Sequence, residues 1–414
     1  MDAGHVVVVG ASAAGLRTSE QPRVAGWRGA ITVVGDESHP PYQRPPLSKD
    51  FLHEAAVGGR RDAAADPLIL RPRAGTARVD WRLGTRVVSC DLRRGEVGLD
   101  DGTRLPFDGL VVATGLRARR LPLVGPERGR HRLRTLNDAR SLAEELRPGA
   151  RVAIAGAGLI GCELAGTLVG LGAEVVLVDT LDVPLAGVLG QHGGQLVQRH
   201  HEGRGVRFHL GRRIIRLLGD ERISGVELDD GTAVVADLLV EAIGAAPATD
   251  WLEGNALDLR DGVLCDEHLR AEGTDAVVAV GDVARFPNLA FDPVPRRIEH
   301  WTNVMDTARR AGRTLAAQLT GGELDPAPFT PLPTFWSDQG SLRIQGVGIP
   351  ALATAFAPLD EPLPEGLSGV VGTHDGRTVV AALLGDGVVP SSLLRQLHAL
   401  VGRSPTVAAA PVAV

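Results

Sequence analysis

Short apolar runs that lead into glycines recur along this chain, and they predict its principal strands. Such runs occupy residues 6–9, 109–115, 152–155 and 275–284. After the first and the third, the stretch beyond the glycine has the apolar spacing of a helix. A strand buried on both faces reads as a continuous apolar run, and glycine permits a tight turn into the next helix. The sequence therefore predicts an α/β protein.

The first segment, "HVVVVGASAAGLRTSE", predicts a strand, a tight turn at Gly10 and a helix that begins near Gly15. A second strand, "AITVVGDE", ends in Asp36 and Glu37. In such a βαβ unit, backbone amides at the start of the helix meet a diphosphate, and acids after the second strand bind a ribose. Ser12 stands where this pattern usually has its second glycine, so the match is incomplete.

The second segment, "RVAIAGAGLIGCELAGTLVGLGAEVVLVD", carries the full glycine spacing at Gly156, Gly158 and Gly161. Its second strand ends at Asp179, which is 23 residues after Gly156. An acid at this position accepts hydrogen bonds from a ribose 2′-hydroxyl and repels a 2′-phosphate, and "DTLDVP" brings no arginine directly after it. The sequence therefore predicts a second dinucleotide site that prefers NADH to NADPH.

The composition excludes several classes of function but does not identify one. The 414 residues suffice for two or three domains, and 44% hydrophobic with 23% charged residues is a globular composition. A net charge of −6 argues against a general nucleic-acid binder. The N-terminus lacks the pattern of a signal peptide and no long apolar run is present, so we expect a cytoplasmic protein that does not bind membranes. The 3 cysteines are far apart in sequence, which predicts no disulphide, metal or CxxC site and leaves redox chemistry to a bound cofactor.

Several segments together resemble one family, the bacterial ferredoxin reductases that include putidaredoxin reductase and the reductase components of ring-hydroxylating dioxygenases. These segments are "GASAAG", "PPYQRPPLSKDFL", "VVATG", "GAGLIGCELA", "VVAVGDVARF", "RRIEHW" and "FWSDQ". The resemblance covers residues 5 to about 400. It implies an FAD flavoprotein that takes a hydride from NADH and passes single electrons to a ferredoxin. The disulphide reductases of the wider superfamily need a cysteine pair, which this sequence lacks.

The resemblance also implies a domain plan of two Rossmann-like dinucleotide-binding domains and a smaller C-terminal α+β domain. The FAD domain is expected at 1–109 and 245–325, the NAD domain at 110–244, and the C-terminal domain at 326–402. In the last of these, "GVVGTHDGRTVVAALL" predicts a hairpin and "SSLLRQLHALV" a helix. Residues 403–414 are expected to be a flexible tail.

Positions that match the family motifs are expected to contact the cofactors. For FAD these are Gly10, Ser12, Ala13, Ala14, Gly15, Asp36, Glu37, Arg44, Lys49, Val87, Ala113, Thr114, Gly115, Arg134, Gly281, Asp282, Glu299, His300 and Trp301. For NAD they are Gly156, Gly158, Leu159, Ile160, Gly161, Glu163, Asp179, Ile243 and Gly244. Some have plainer explanations that the residues leave open: Asp282 as a helix cap, Trp301 as core packing and His300 as a surface residue.

Lys49 is the only lysine in a chain that has 44 lysines and arginines in all. A lysine at this position is either a chance exception in an arginine-rich composition or indicates a tight site in which arginine's larger planar group does not fit. The resemblance implies the second, with Lys49 beside the flavin and paired with Glu163. We expect these two residues to position and polarise the cofactors rather than transfer protons. Pro45 and Pro46 predict an extended segment before the lysine, and Pro22 predicts an early end to the first helix.

The electron acceptor is the least determined part of the prediction. A basic surface near the flavin would attract an acidic ferredoxin, although an arginine-rich helix is also an ordinary solvated face. The candidates for docking are Arg296, Arg297, Arg309, Arg310, Arg313 and Trp336. A monomer or weak dimer is expected. Two alternatives share the same motifs: a rubredoxin reductase, and a flavin-based NADH sensor with little turnover.

Overall fold

The computed structural model describes residues 4–58, 66–73, 78–387 and 389–401. The predicted tail, 403–414, lies outside the described residues. The described chain divides into two compact units, each assembled from three segments. The first unit comprises Met1–Pro46, Arg60–Ala118 and Ala245–Pro333, and the second comprises Leu47–Gly59, Arg119–Gly244 and Thr334–Val414. The division into FAD, NAD and C-terminal domains stays a prediction.

The α-helices of the described residues are labelled in chain order. They are α1 Ala13–Val24, α2 Asp50–Gly58, α3 Leu136–Glu145, α4 Leu159–Gly170, α5 Ala186–Glu202, α6 Trp301–Thr320 and α7 Ser391–Leu400. Short 3₁₀ helices lie at Pro45–Ser48, Asp66–Leu68, Asp250–Leu252, Gly281–Val283 and Pro350–Leu352. No helix of the described residues is long and apolar enough to cross a membrane.

A parallel sheet with its first strand in the middle forms the centre of the first unit. Its strands, in spatial order, are Val277–Ala279, Gly109–Val112, His5–Val9, Ala30–Gly35 and Asp80–Leu83. The central valines pair on both sides, Val8 with Val33 and with Val111, and all three are fully buried. This burial on two faces explains why the strand is apolar at every position rather than at alternate ones.

Smaller sheets complete the first unit. They are the antiparallel sheet Val87–Asp91, Glu96–Leu99 and Arg104–Pro106, the sheet Val263–Leu264, Ala284–Asn288 and Asp292–Arg297, and the pair Leu116–Ala118 with Ala245–Pro247. Helix α1 packs along α6, where Gly312 has no side chain to collide with Gln21. The predicted early end of α1 at Pro22 is wrong, because the helix continues to Val24. A proline in the last turn removes one hydrogen bond, and the packing against α6 is retained.

The second unit contains a parallel sheet and a large antiparallel sheet. The parallel sheet has the order Arg207–Leu210, Glu174–Asp179, Arg151–Ala155, Leu238–Glu241 and Arg130–Arg132. The antiparallel sheet has the order Thr334–Gln339, Leu342–Gly348, Arg377–Asp386, Leu367–His374 and Ala355–Pro358. A small sheet is formed by Ile214–Leu218, Gly225–Leu228 and Ala233–Val235. Helices α4 and α5 pack against the antiparallel sheet.

Two predicted features of the C-terminal segment are confirmed, and one prediction near Lys49 is wrong. The hairpin turns at Asp375 and Gly376, whose φ angles of 48° and 73° suit a two-residue turn, and α7 forms where predicted. The segment Pro45–Ser48, however, is a 3₁₀ helix rather than extended backbone. The φ angle that the proline ring imposes, about −65°, fits a 3₁₀ turn as well as an extended strand.

Candidate functional site

A tight turn with glycine at both ends, here called a cradle, lies at the carboxyl end of the first strand in the first unit. Gly10 has a φ of +117°, and a Cβ there would lie 2.2 Å from the carbonyl oxygen of Ala113. A Cβ on Gly15 would lie 1.9 Å from the carbonyl oxygen of Gly10. Only glycine fits at these positions, and the turn leads directly into the N-terminus of α1. Helix N-terminal amides in a turn of this shape suit a dinucleotide diphosphate.

The same sheet edge gathers most of the residues predicted for FAD. Asp36, Glu37 and the segments 113–115 and 281–282 each follow the carboxyl end of a parallel strand, next to the turn 10–15. The amide of Val280 donates to the carbonyl of Val112 at 3.0 Å, which holds the outer strand in register. Ligands of open α/β sheets bind at this edge, beside the strand where the order reverses.

Glu37 is fixed by two neighbours. The Tyr42 hydroxyl donates to Glu37 Oε2 at 2.6 Å, and Arg44 Nη2 donates to Glu37 Oε1 at 2.6 Å. Arg44 also lies over the tyrosine ring, with 5.2 Å between its Cζ and the ring centroid. Burial lowers the pKa of Arg44, but Tyr42, Glu37 and Asp282 outweigh it and the net shift is upward. The cluster therefore keeps a cation at the predicted flavin nucleotide site.

The residues just before α6 do not share one environment, because His300 is partly buried and Glu299 is exposed. Burial lowers the pKa of His300 to about 4, against a smaller upward effect of Asp282, so this histidine is neutral at pH 7. Glu299 instead is exposed and bonds Arg297, with Oε1 2.7 Å from Nη1. Trp301 is the first residue of α6. The predicted contact of Glu299 with the flavin stays a prediction, as do those of Val87 and Trp301.

The second unit has an equivalent cradle. Gly156 has a φ of +103°, and a Cβ there would lie 2.4 Å from the carbonyl oxygen of Ala242. A Cβ on Gly161 would lie 1.9 Å from the carbonyl oxygen of Gly156. Asp179 closes the turn by accepting the Ala157 amide at 2.5 Å. These positions therefore fit a dinucleotide in the same way as the turn of the first unit.

A pocket of about 340 Å³ opens at this cradle. Of the residues predicted for NAD, it is lined by Gly156, Gly158, Asp179, Ile243 and Gly244. Sequence reasoning missed other lining residues, namely Leu121, Ala155, Val178, Thr180, Arg212, Arg213, Ile214 and Ala242. Arg212 and Arg213 follow the edge strand Arg207–Leu210. Because ligands bind at the carboxyl ends of parallel strands, recognising this strand in the sequence would have predicted both arginines.

Replacing Asp179 with alanine is expected to weaken NADH binding about 10-fold and to narrow the preference over NADPH. The carboxylate is held by the amides of Ala157 and Leu181, the second at 2.9 Å, so it is positioned to accept a ribose hydroxyl. Losing one such hydrogen bond costs about 1.5 kcal/mol, which is roughly 10-fold in affinity. The ratio of kcat/KM for NADH and NADPH measures the effect. Asp182→Ala, at an exposed position three residues along the chain, is the matched control, and an unchanged ratio in Asp179→Ala would contradict this role.

Lys49 and Glu163 lie together in the second unit although 114 residues separate them in sequence. Lys49 Nζ is 2.7 Å from Glu163 Oε2, with the side chains 15% and 4% exposed. The Ser48 hydroxyl donates to the same oxygen at 2.6 Å. Glu163 is therefore a buried carboxylate with an ammonium and a hydroxyl on one oxygen. Contact of Lys49 and Arg134 with FAD, and of Glu163, Leu159 and Ile160 with NAD, stays a prediction.

The cysteines have the environment of inert thiols. Burial raises the pKa of Cys162 and of Cys265, and it raises the pKa of Cys90 to about 12. All three are free thiols. The thiolate is the nucleophile in disulphide exchange, so its formation is strongly disfavoured here.

Most of the arginines proposed for docking have acidic partners within their own unit. Arg296 bonds Asp292, and Arg309 lies 3.3 Å from Asp306. Arg310 Nη1 donates to Asp325 Oδ2 at 2.7 Å and is largely buried. Arg313 is exposed, and among the described residues it is the one arginine of the five with no ion pair.

Known proteins resemble this chain over most of its length. It is 35% identical over 349 residues to the ferredoxin reductase component of chlorobenzene dioxygenase from Cupriavidus sp. (strain PS12), covering 84% of this chain and 81% of that protein. It is 33% identical over 347 residues to the rubredoxin-NAD(+) reductase of Pseudomonas putida, covering 83% and 86%. The solved structure of putidaredoxin reductase in covalent complex with putidaredoxin matches with a TM-score of 0.85 at 28% identity, covering 97% of this chain and 94% of that one.

The model of the pyridine nucleotide-disulphide oxidoreductase family matches residues 4–308. The predicted resemblance, the α/β fold class with its dinucleotide-binding units, and the oxidoreductase activity are confirmed by these similarities. The chain belongs to the pyridine nucleotide-disulphide oxidoreductase family.

Proposed function

We propose that this protein is an FAD-dependent NADH:ferredoxin reductase that supplies electrons to a monooxygenase or a ring-hydroxylating dioxygenase. The observation that carries the proposal is the pair of glycine cradles, one in each unit, each at the carboxyl edge of a parallel sheet. FAD and NADH are the cofactors that family membership implies. A chain with two dinucleotide sites has what hydride transfer between two such cofactors requires.

FAD held at the first cradle would supply the chemistry that a one-electron iron–sulfur acceptor needs, because a flavin can take up a hydride and release electrons singly. The protein's own part is binding and orientation. The turns at Gly10–Gly15 and Gly156–Gly161 can pack tightly only with glycine at both ends, and each leads into a helix whose N-terminal amides would bind a diphosphate. Asp179 selects the ribose, and Glu163 with Lys49 provides a fixed charge pair at the start of α4. The inert thiols of the chain leave disulphide reduction without a nucleophile.

The charge distribution on α6 supports a narrower docking surface than the sequence indicates. Asp306, Glu323 and Asp325 line the same groove as Arg309, Arg310 and Arg313, so the groove is close to neutral. We therefore propose that Arg313 contributes most to the attraction of an acidic ferredoxin. Arg296, Arg297 and Arg310 instead stabilise their own surroundings through ion pairs with Asp292, Asp261 and Asp325. Trp336, in the strand Thr334–Gln339, stays a second docking candidate.

The test is reduction of cytochrome c by NADH in the presence of separate electron carriers. We expect catalytic reduction with a [2Fe–2S] ferredoxin and little with a rubredoxin. Faster reduction with rubredoxin would favour the activity named in the Pseudomonas putida relative. A flavoprotein that supports no turnover with any carrier would favour the NADH sensor and would contradict the proposal.

Docking is tested in the same assay. Arg313→Glu is expected to raise the KM for ferredoxin about 10-fold at low salt, because charge reversal at an exposed rim acts mainly on encounter. Arg93→Glu is the control, because Arg93 is also exposed and carries the same change of charge, but it follows the strand Val87–Asp91 and lies outside the groove that Arg313 lines. Equal effects of the two changes would assign docking to another surface.

A further inference from the structure

Four buried polar side chains of the second unit, Glu163, Ser337, Gln339 and His201, form a hydrogen-bonded array. The Ser337 hydroxyl donates to Glu163 Oε1 at 2.7 Å. Gln339 Nε2 donates to Ser337 Oγ at 3.2 Å, and Gln339 Oε1 lies 3.0 Å from His201 Nε2. Ser337, Gln339 and His201 have no exposed surface. None of the three was predicted from the sequence, and the family motif "FWSDQ" merely contains two of them.

Local sequence explains why these residues meet. Ser337 and Gln339 are two apart in the strand Thr334–Gln339, so both side chains project from the same face. That face receives α4, where Glu163 and Gly166 are three apart and share one side of the helix. A Cβ on Gly166 would lie 2.8 Å from the amide nitrogen of Gly340. Glycine at this position therefore allows the helix to approach closely enough for Ser337 to reach Glu163.

The direction of every hydrogen bond in the array follows from the carboxylate of Glu163. This carboxylate, paired with Lys49, only accepts hydrogen bonds, so Ser337 must donate its single hydroxyl proton to it. The serine oxygen then accepts from the amide group of Gln339, which turns Gln339 Oε1 towards His201. An oxygen there requires a proton on His201 Nε2. All the protons thus point towards Glu163, and the tautomer of His201 is fixed.

His201, the member of the array furthest from Glu163, is uncharged. Burial lowers the pKa of His201 to about 4, so its ring is neutral at pH 7. Its Nδ1 is buried and makes no hydrogen bond among the described residues. The ring packs edge-on against Phe208, with 6.4 Å between centroids. His200 and Arg204 are the titratable groups near it, and Lys49 is the charged group that faces Glu163.

We propose that Ser337, Gln339 and His201 are positioning residues that hold the Glu163 carboxylate in one rotamer opposite Lys49. Together with Ser48 and Lys49, they give both carboxylate oxygens a donor. The antiparallel sheet of the second unit thereby takes part in the step in which NADH reduces the flavin. This inference rests on the proposed function, because it assigns the array to the step in which NADH reduces the flavin.

The test compares Ser337→Ala with Thr378→Ala in the FAD-loaded protein. Thr378 is a buried residue with a hydroxyl group in the strand Arg377–Asp386 of the same antiparallel sheet, and it lies outside the array. In Ser337→Ala the carboxylate loses the donor that orients its Oε1, so the limiting rate of flavin reduction should fall roughly 10-fold while the apparent Kd for NADH changes little. Thr378→Ala should leave both values unchanged. Limiting rates that coincide for wild type and Ser337→Ala would overturn the proposal.

A second pair of variants separates positioning from folding. His201→Gln retains an N–H donor for Gln339, whereas His201→Leu does not. We expect the leucine variant to lower the limiting rate of flavin reduction as Ser337→Ala does, and the glutamine variant to keep it near the wild-type value. Identical limiting rates in the two His201 variants would contradict the array.

The tautomer of His201 provides a readout that is independent of activity. In ¹⁵N-histidine spectra of the wild-type protein we expect the Nε2–H form at pH 7, and an Nδ1–H form would overturn the proposed direction of the array. If NADH fails to reduce wild-type flavin while His201 shows the expected tautomer, the proposed function has failed and the array itself has not.

Discussion

Replacing Gly161 with alanine is expected to give a yellow, FAD-loaded protein that NADH reduces at least 100-fold less efficiently. The new Cβ would lie 1.9 Å from the carbonyl oxygen of Gly156, so the turn that bears the diphosphate-binding amides must open. A loss of about 3 kcal/mol in binding corresponds to roughly 100-fold in affinity. Stopped-flow reduction over a range of NADH concentrations measures the effect as a raised apparent Kd.

Gly170→Ala is the matched control, because Gly170 lies at the other end of α4 and a Cβ there meets no atom within 4 Å. Alanine is expected to be neutral or slightly stabilising at that position. Since the cradle that we propose for FAD belongs to the first unit, Gly161→Ala should retain its flavin. Wild-type NADH affinity in Gly161→Ala would show that the second cradle does not bind the coenzyme.

Replacing Lys49 with methionine is expected to slow flavin reduction by NADH about 10- to 100-fold and to destabilise the protein by about 3 kcal/mol. Glu163 would remain buried with hydroxyl donors and no cation, and breaking a buried ion pair by removing one partner costs several kcal/mol. The rate falls because the carboxylate loses the charge opposite it. Stopped-flow reduction and thermal unfolding measure the two effects separately.

The double variant Lys49→Met/Glu163→Gln separates stability from catalysis. With both charges removed, most of the stability should return, because no unpaired buried charge remains. The reduction rate should stay low, because neither member of the charge pair is present. A Lys49→Met protein that NADH reduces at the wild-type rate would refute the role of the pair.

The glycine turns and the strands before them were predictable because their signals are local. Val6–Val9 is apolar at each position since both faces of the strand are buried, and Gly156 and Gly161 recur at a spacing that close packing of strand, turn and helix requires. Asp179 could be placed for the same reason, as it ends the next strand of the same unit. Local periodicity therefore suffices for the cradles.

The surroundings of Glu163 were predictable only in part. The family resemblance implied its approach to Lys49, but Ser48, Ser337 and His201 come from three separate segments and no local pattern joins them. Burial of a serine or histidine depends on which elements pack together, and a single sequence carries no periodic signal for that.

Ion pairing limits what an arginine-rich segment reveals. Arg310 and Arg313 lie three apart on α6, yet the Arg310 side chain is largely buried and paired with Asp325, whereas Arg313 is exposed. The acidic partner follows the helix in a loop, so helix periodicity alone does not distinguish the two roles. Predictions of docking from arginine content therefore needed the structure to narrow them.

The proposed electron transfer from NADH to ferredoxin is tested by an anaerobic titration of the purified protein with NADH, followed by addition of oxidised ferredoxin. About one NADH per FAD should bleach the visible flavin absorbance, and the ferredoxin should restore it as its own iron–sulfur absorbance falls. A flavin spectrum that NADH leaves unchanged, or a bleached flavin that no iron–sulfur carrier reoxidises, would contradict the proposed electron transfer.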